Sequence, residues 1–149
     1  MQTTLARLPL TLASESAPDE KTIRAIAAGL DSYNALFTPL ADWTPQWIIG
    51  RDEGNAVQAG GQFITSLDWL FLRWLWVAEA HRKRGIGSQL LAGAEETARK
   101  SDCRAAYVDT FTFQAPEFYE RHGYREFARL PDFPRGHARI WLSKLLQRT

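Results

Sequence analysis

Three observations predict an α/β (α+β) fold, a mixed sheet with helices on its faces, for this chain of 149 residues. Apolar residues recur at threes and fours in two long stretches, near 18–37 and 85–100, which is the spacing of one helical face. Seven short runs, most of them rich in β-branched and aromatic residues, are bounded by glycine, proline and asparagine turns, as strands are. The second helix and a shorter third one separate the central strands instead of following them as a block, and that order belongs to a sheet covered by helices.

In chain order, Leu8, Leu10 and Leu12 share one parity and predict a first strand ending near Ser14. Pro18 and Asp19 open a helix whose stripe is Ile23, Ile26, Ala27, Leu30 and Tyr33, ending near Leu36 or Phe37. Pro39 and Pro45 bracket a loop that carries Trp43, well placed to touch a substrate. Trp47 to Arg51 and Ala56 to Thr65 read as a hairpin around Asp52-Glu53-Gly54-Asn55. Gly60-Gly61 within its second strand marks a bulge or a close backbone approach. Trp69 to Val77 is bulky on both parities, so it is expected to be a central strand covered on both faces. Core packing is then the default reading of Trp69, Trp74 and Trp76.

A helix follows from about Gly85 to Lys100, with Ile86, Leu90, Leu91, Ala94 and Ala98 on one stripe. Arg104 to Phe111 is the next strand. Pro116 suits the first turn of a short helix through Arg121, which Gly123 closes. Tyr124 to Leu130 and Ala138 to Leu145 are the last strands, joined by a turn over Pro131 to Gly136. No repeat, low-complexity tract or linker divides the chain, so one domain over residues 1–149 is expected.

Charge and cysteine content exclude several classes. The 18 Lys plus Arg residues against 17 Asp plus Glu leave a net charge of +1, which argues against a nucleic-acid binder. Cys103, the only cysteine, permits no internal disulfide and favours a reducing, cytoplasmic setting. It reads as a small buried residue opening a strand. No export signal precedes the first helix, and the apolar run Trp69 to Ala78 is about half of what a bilayer needs, so no membrane partner is expected.

The positive charge that matters is local. Arg82, Lys83 and Arg84 stand immediately before a helix start, together with Gly85 and Gly87. A helix N-terminus already carries about half a positive charge, so cations gathered there call for an anion. Residues without a Cβ let such an anion approach the unpaired N–H groups of the first turn. A solvated basic turn is the competing reading. Walker A and dinucleotide fingerprints are both absent, the latter because Leu90 stands where a third glycine belongs.

Arg82-x-x-Gly85-x-Gly87 resembles the acetyl-CoA pyrophosphate loop of the GNAT superfamily of N-acetyltransferases. The order of elements is similar over nearly the whole chain. A second match lies at Thr112, Ala115, Tyr119, Gly123 and Tyr124, where Thr112 replaces the usual Asn. The string from Asp109 to Tyr124 also looks like a bacterial subgroup of that family without a specified acceptor. The resemblance implies a mixed, mostly antiparallel central sheet whose fourth and fifth strands splay to admit the pantetheine arm. It implies acetyl-CoA as co-substrate and no metal. Leu75, Trp76 and Val77 would lie beside the arm, with Thr112 or Gln114 and Phe118 across from them. Arg82, Lys83, Arg84, Gly85, Ile86, Gly87 and Ser88 would hold the phosphates.

Acyl transfer to an amine needs a neutral amine, a polarised carbonyl and a proton for the leaving thiolate. By resemblance, Tyr119 gives that proton and a backbone N–H near Val77 polarises the carbonyl. Phe71 stands where some relatives carry a catalytic glutamate, so Asp109, Glu79 and His137 remain as candidate bases. Tyr33, Trp43 and Phe111 are expected to wall the acceptor, with Phe133 as a further aromatic and cation–π contact as the attraction. The implied activity is acetylation of a primary amine of a small molecule or peptide, by direct attack in a ternary complex. A regulatory CoA-binding module without turnover is the alternative. Many such proteins are homodimers, and the apolar last strand, Ile140 to Leu146, is the expected contributor to an interface.

Overall fold

The structure is a computed structural model that describes residues 10–39, 43 and 45–146. The chain divides into two compact units, Met1–Leu40 and Ala41–Thr149. In the first, the carboxylate of Asp19 accepts the backbone N–H of Thr22 at 2.7 Å and so caps α1 (Glu20–Asn34). None of the residues of α1 is buried. Residues 10–14, within the expected first strand, are not in a strand, and the rest of that segment lies outside the described residues. Shared parity is not enough, because a strand exists only where a neighbour takes up its backbone hydrogen bonds.

The second unit is built on a six-stranded sheet of β1 (Pro45–Arg51), β2 (Val57–Ser66), β3 (Trp69–Val77), β4 (Ala105–Phe111), β5 (Arg125–Pro131) and β6 (Ala138–Leu145). Their order across the sheet is β1-β2-β3-β4-β6-β5. All neighbours are antiparallel except β3 and β4. Parallel neighbours need a crossover, and α2 (Ile86–Lys100) supplies it. A second short helix, α3 (Pro116–Arg121), joins β4 to β5.

The parallel pairing is brief. It runs from Trp69 with Ala105 to Leu72 with Val108 and then stops. Beyond that, β3 keeps its partner β2 as far as Val77, and β4 keeps β6 as far as Phe111. The two central strands therefore part over their C-terminal halves, leaving backbone groups that face each other without a ladder.

Leu70, Leu72, Ala106, Val108, Ile140 and Leu142 point from the sheet into a core completed by Leu91, Ala94 and Ala98 of α2 and Tyr119 of α3. Both helices thus cover the same face. Cys103 is buried there too, as expected of a small apolar side chain. Trp74 and Trp76 correct the sequence reading: they are 56% and 50% exposed. Gln62 pairs with Trp74 and Phe63 with Leu72, so Arg73 is the extra residue of a bulge that breaks the alternation between Leu72 and Trp74. Gly60 and Gly61 are not at that bulge. A Cβ on Gly61 would come within 2.9 Å of the Trp74 carbonyl oxygen, so close approach explains the pair.

Glu95 of α2 is a buried carboxylate with a full set of donors. Lys144 Nζ reaches both of its oxygens at 2.9 Å, Tyr124 Oη donates at 3.0 Å and Arg99 at 3.1 Å. This cluster ties α2 to the end of β6 and the start of β5. The strand expected to contribute to an interface, β6, is an interior strand. It is paired on both sides, so its apolar residues serve the core and β5 forms the sheet edge.

Candidate active site

The parted ends of β3 and β4 meet the start of α2 at the basic glycine loop. After Val77 a short 3-10 turn, Glu79–His81, redirects the chain. Arg82 then folds back, its Nε donating to the Val77 carbonyl oxygen at 3.0 Å. Lys83 and Gly85 both take positive φ, 59° and 81°, which bends the chain into the helix axis. Gly85 is the residue type that reaches that conformation without strain.

Gln89 N–H bonds the Gly85 carbonyl, while the N–H groups of Ile86, Gly87 and Ser88 precede the first intrahelical donor. The first turn carries no acidic residue and no side-chain cap. Arg82, Lys83 and Arg84 therefore add their charge to the positive end of the helix, and the arrangement fits an anion. Gly87 is needed for space. A Cβ there would meet the Phe118 ring at 3.3 Å and Leu75 at 3.8 Å, so α3 and β3 close against the loop at this residue.

Phe118 leads to Tyr119, their ring centroids 5.1 Å apart. Tyr119 is buried, at 9% exposed. Burial pushes its hydroxyl up to about 12, and the negative charge of Asp109 adds to the effect. The ring is therefore protonated throughout the neutral range. Leu75 packs against the core beside it, whereas Trp76 is half exposed.

Thr112 and Gln114 are both engaged locally. Thr112 Oγ1 accepts the Ala138 N–H at 3.1 Å, and Gln114 Oε1 accepts from Thr110 Oγ1 at 2.7 Å and from Phe111 N at 3.0 Å. These bonds fix the turn between β4 and α3. They leave the Gln114 amide nitrogen outside the turn's own bonding.

Asp109 does not stand alone. Arg139 of β6 donates to its Oδ2 through Nε at 2.8 Å and through a terminal nitrogen as well. The other expected bases are further from this role. Glu79 begins the 3-10 turn, and His137 packs edge-on against Phe113 with its N–H bonded to the Pro134 carbonyl.

Within the second unit the expected acceptor wall falls in two places, at Phe111 and at Trp43, while Tyr33 belongs to the first unit. Tyr33 is exposed on α1 in the first unit. Phe111 stacks on Phe113 at 5.2 Å, with Phe133 at 6.3 Å and the Arg139 guanidinium 5.6 Å above its ring. Trp43 lines a cavity of about 200 Å³ with Ile64, Trp69, Phe71 and Tyr107. Phe71 and Tyr107 stack at 4.8 Å, at the last stretch of paired β3 and β4. The position that lacks a glutamate is thus part of an aromatic wall.

Several participants escaped the sequence reading. Arg139 lies 30 residues from Asp109, and nothing in its neighbourhood announces the pair. His122, at the end of α3, bonds both the Phe118 carbonyl and Ser88. Its spacing of four from Phe118 was visible, but its link to a residue 34 positions earlier was not.

The family model for the acetyltransferase (GNAT) domain matches residues 44–126, more than half of the chain. An acetyltransferase of Agrobacterium fabrum is 36% identical over 126 residues, which cover 85% of this chain and 92% of that protein. Blasticidin-S acetyltransferase of Streptomyces morookaense is 48% identical over 69 residues, 46% of this chain and 51% of that protein. The crystal structure of an acetyltransferase from Bacillus cereus, 30% identical, superposes with a TM-score of 0.80 over 90% of this chain and 98% of that one. With the parted central strands and the basic glycine loop, these matches establish that the chain belongs to the GNAT family of N-acetyltransferases.

Proposed function

We propose that the protein moves the acetyl group of acetyl-CoA to a primary amine of a small molecule, by direct attack in a ternary complex. The observation that carries this reading is a coincidence of place. The gap between β3 and β4, the anion-seeking start of α2 and the buried Tyr119 adjoin one another through Leu75, Gly87 and Phe118. The pyrophosphate has its seat in the first-turn N–H groups with Arg82 and Arg84. The unpaired backbone of β3 is available to the arm and, near Val77, to the thioester carbonyl.

In the reaction the amine nitrogen forms a bond to the acetyl carbon, the C–S bond breaks, and the amine loses a proton. Tyr119 gives its proton to the departing sulfur. Asp109 is the group best placed to receive the amine proton, because Arg139 occupies only its Oδ2. Arg139 fixes the orientation of that carboxylate from β6, on the side of β4 away from the gap.

The cavity under Trp43 is the proposed seat of the acceptor's body. Its walls are aromatic and apolar and its volume is about 200 Å³, which favours a compact group over an extended peptide. A relative named for acetylating blasticidin S supports a small-molecule acceptor.

Calorimetric titration tests the cofactor half of this reading. Acetyl-CoA should bind the wild-type protein, and replacing Arg82 and Arg84 together with Ala should weaken it at least tenfold. Each charge-assisted bond to phosphate contributes about 1.5–3 kcal/mol. A pantetheine analogue without phosphates should bind both proteins alike. Equal loss for the two ligands would contradict the phosphate role of the loop.

A further inference from the structure

His122 closes α3 with two hydrogen bonds that constrain each other. Its Nδ1 lies 2.7 Å from the Phe118 carbonyl oxygen, and its Nε2 lies 2.9 Å from Ser88 Oγ. The ring rests against Phe118, their centroids 4.6 Å apart. A carbonyl oxygen only accepts, so Nδ1 must carry a hydrogen. In the neutral ring Nε2 is then a bare acceptor, and the Ser88 hydroxyl has to donate to it. In the charged ring Nε2 carries a hydrogen too. Ser88 Oγ then accepts, and its own hydrogen is free to point elsewhere.

Elsewhere, at this residue, is the anion seat. Ser88 is the third residue of α2, at the end where the N–H groups of Ile86, Gly87 and Ser88 await a partner. A hydroxyl turned toward His122 offers that seat only lone pairs, which repel an anion. A hydroxyl turned outward adds a donor to it. An anion there therefore favours the charged ring twice, through its own charge and through the Ser88 hydrogen it recruits.

The charged groups beside this contact are Arg82, Lys83 and Arg84 ahead of α2, and Glu117, Glu120 and Arg121 on α3. Lys144 of β6, beside Gly123, is bonded to Glu95. Both ring nitrogens of His122 bond uncharged partners, so no carboxylate is hydrogen-bonded to the ring, and a phosphate at the start of α2 adds an anion next to its Ser88 partner.

We propose that His122 is a positioning residue that sets the direction of the Ser88 hydroxyl, and that binding of the CoA pyrophosphate takes up a proton at His122. This rests on the acetyl-CoA reading above. The proton comes from solvent and returns to it when the product CoA leaves. Affinity should then fall as pH rises, the sign of a proton taken up on binding.

Calorimetry in two buffers of different protonation enthalpy measures the uptake. The 3′-phosphate of CoA is a monoester that itself titrates near pH 6. The probe is therefore 3′-dephospho-CoA, which keeps the pyrophosphate and lacks that group. At about pH 7.5 the wild-type protein should take up a large fraction of one proton on binding. Its Kd should rise by up to about tenfold per pH unit on the alkaline side, the slope of a single linked proton. His122→Gln should abolish the uptake and flatten the profile, and Ser88→Ala should reduce both, because it removes the hydroxyl's share and leaves only the direct pull of the anion's charge. Ser88 lies at a helix start, so its variant keeps the fold even if His122→Gln does not. Binding to the wild-type protein without uptake, or equal uptake in Ser88→Ala, would overturn the coupling alone. Failure of the wild-type protein to bind either CoA or its dephospho form would remove the acetyl-CoA reading and this inference with it.

Discussion

Tyr119 is both a core side chain and the proposed proton donor, and the two roles pull in opposite directions. Burial and the charge of Asp109 raise its hydroxyl from the ordinary value of 10.0 to about 12. The phenol is thereby kept protonated at neutral pH but made a weaker acid. It can give up its proton only as negative charge builds on the sulfur, which ties the transfer to the bond-breaking step. Tyr119→Phe keeps the ring in the core and removes only the proton. It should lower kcat about a hundredfold with little change in the acetyl-CoA KM, the pattern of an interaction used in the chemical step. Steady-state kinetics decide the matter, and an unchanged kcat would take Tyr119 out of the mechanism. At this scale the glycines of the loop follow from a short spacing that survives in a linear chain, whereas Tyr119 was expected only through the family resemblance. Arg139 beside Asp109 and Ser88 beside His122 were not legible, because the first pair is made by neighbouring strands and the second by two helices far apart in the chain, not by local spacing.

Among the elements, α2 does two jobs at its two ends. Its start faces the anion seat, and its interior carries Glu95, through which it is clasped to β6 and to Tyr124. A buried carboxylate deprived of a cation is costly. Lys144→Ala should destabilise the protein by about 2–3 kcal/mol, at or below the low end for a broken buried pair because Arg99 and Tyr124 remain bonded to Glu95. Urea unfolding measures this. A loss below about 1 kcal/mol would mean that the clasp is worth no more than an exposed ion pair. The bounds of α2, α3, β3 and β6 were readable to within a residue or so, since each is bracketed by proline, glycine or a change of period. Two features were missed for physical reasons that lie outside the elements themselves. The bulge at Arg73 interrupts the alternation between Leu72 and Trp74, and both Trp74 and Trp76 remain half exposed. The interior place of β6 was not read either, because its neighbours on both sides cannot be seen in its own residues.

For the second unit as a whole, function follows from a sheet that is deliberately incomplete. A continuous ladder between β3 and β4 would bond every backbone group along both strands. Stopping it at Leu72 and Val108 leaves a gap at the end where the basic loop and Tyr119 lie. The mixed class of the sheet and the helices between its strands were legible from periodicity, while the gap was expected only through the family resemblance, because no residue pattern within either strand marks where pairing ends. The acceptor side was the least legible part, since Trp43, Phe71 and Tyr107 are far apart in the chain and converge only around the cavity. The most direct measurement is release of free thiol from acetyl-CoA by the purified protein over a panel of small primary amines and short peptides. Thiol release that depends on a small amine, with the acetylated amine recovered in equal amount, is the predicted result. Acetyl-CoA binding with no thiol release over the whole panel would contradict the account.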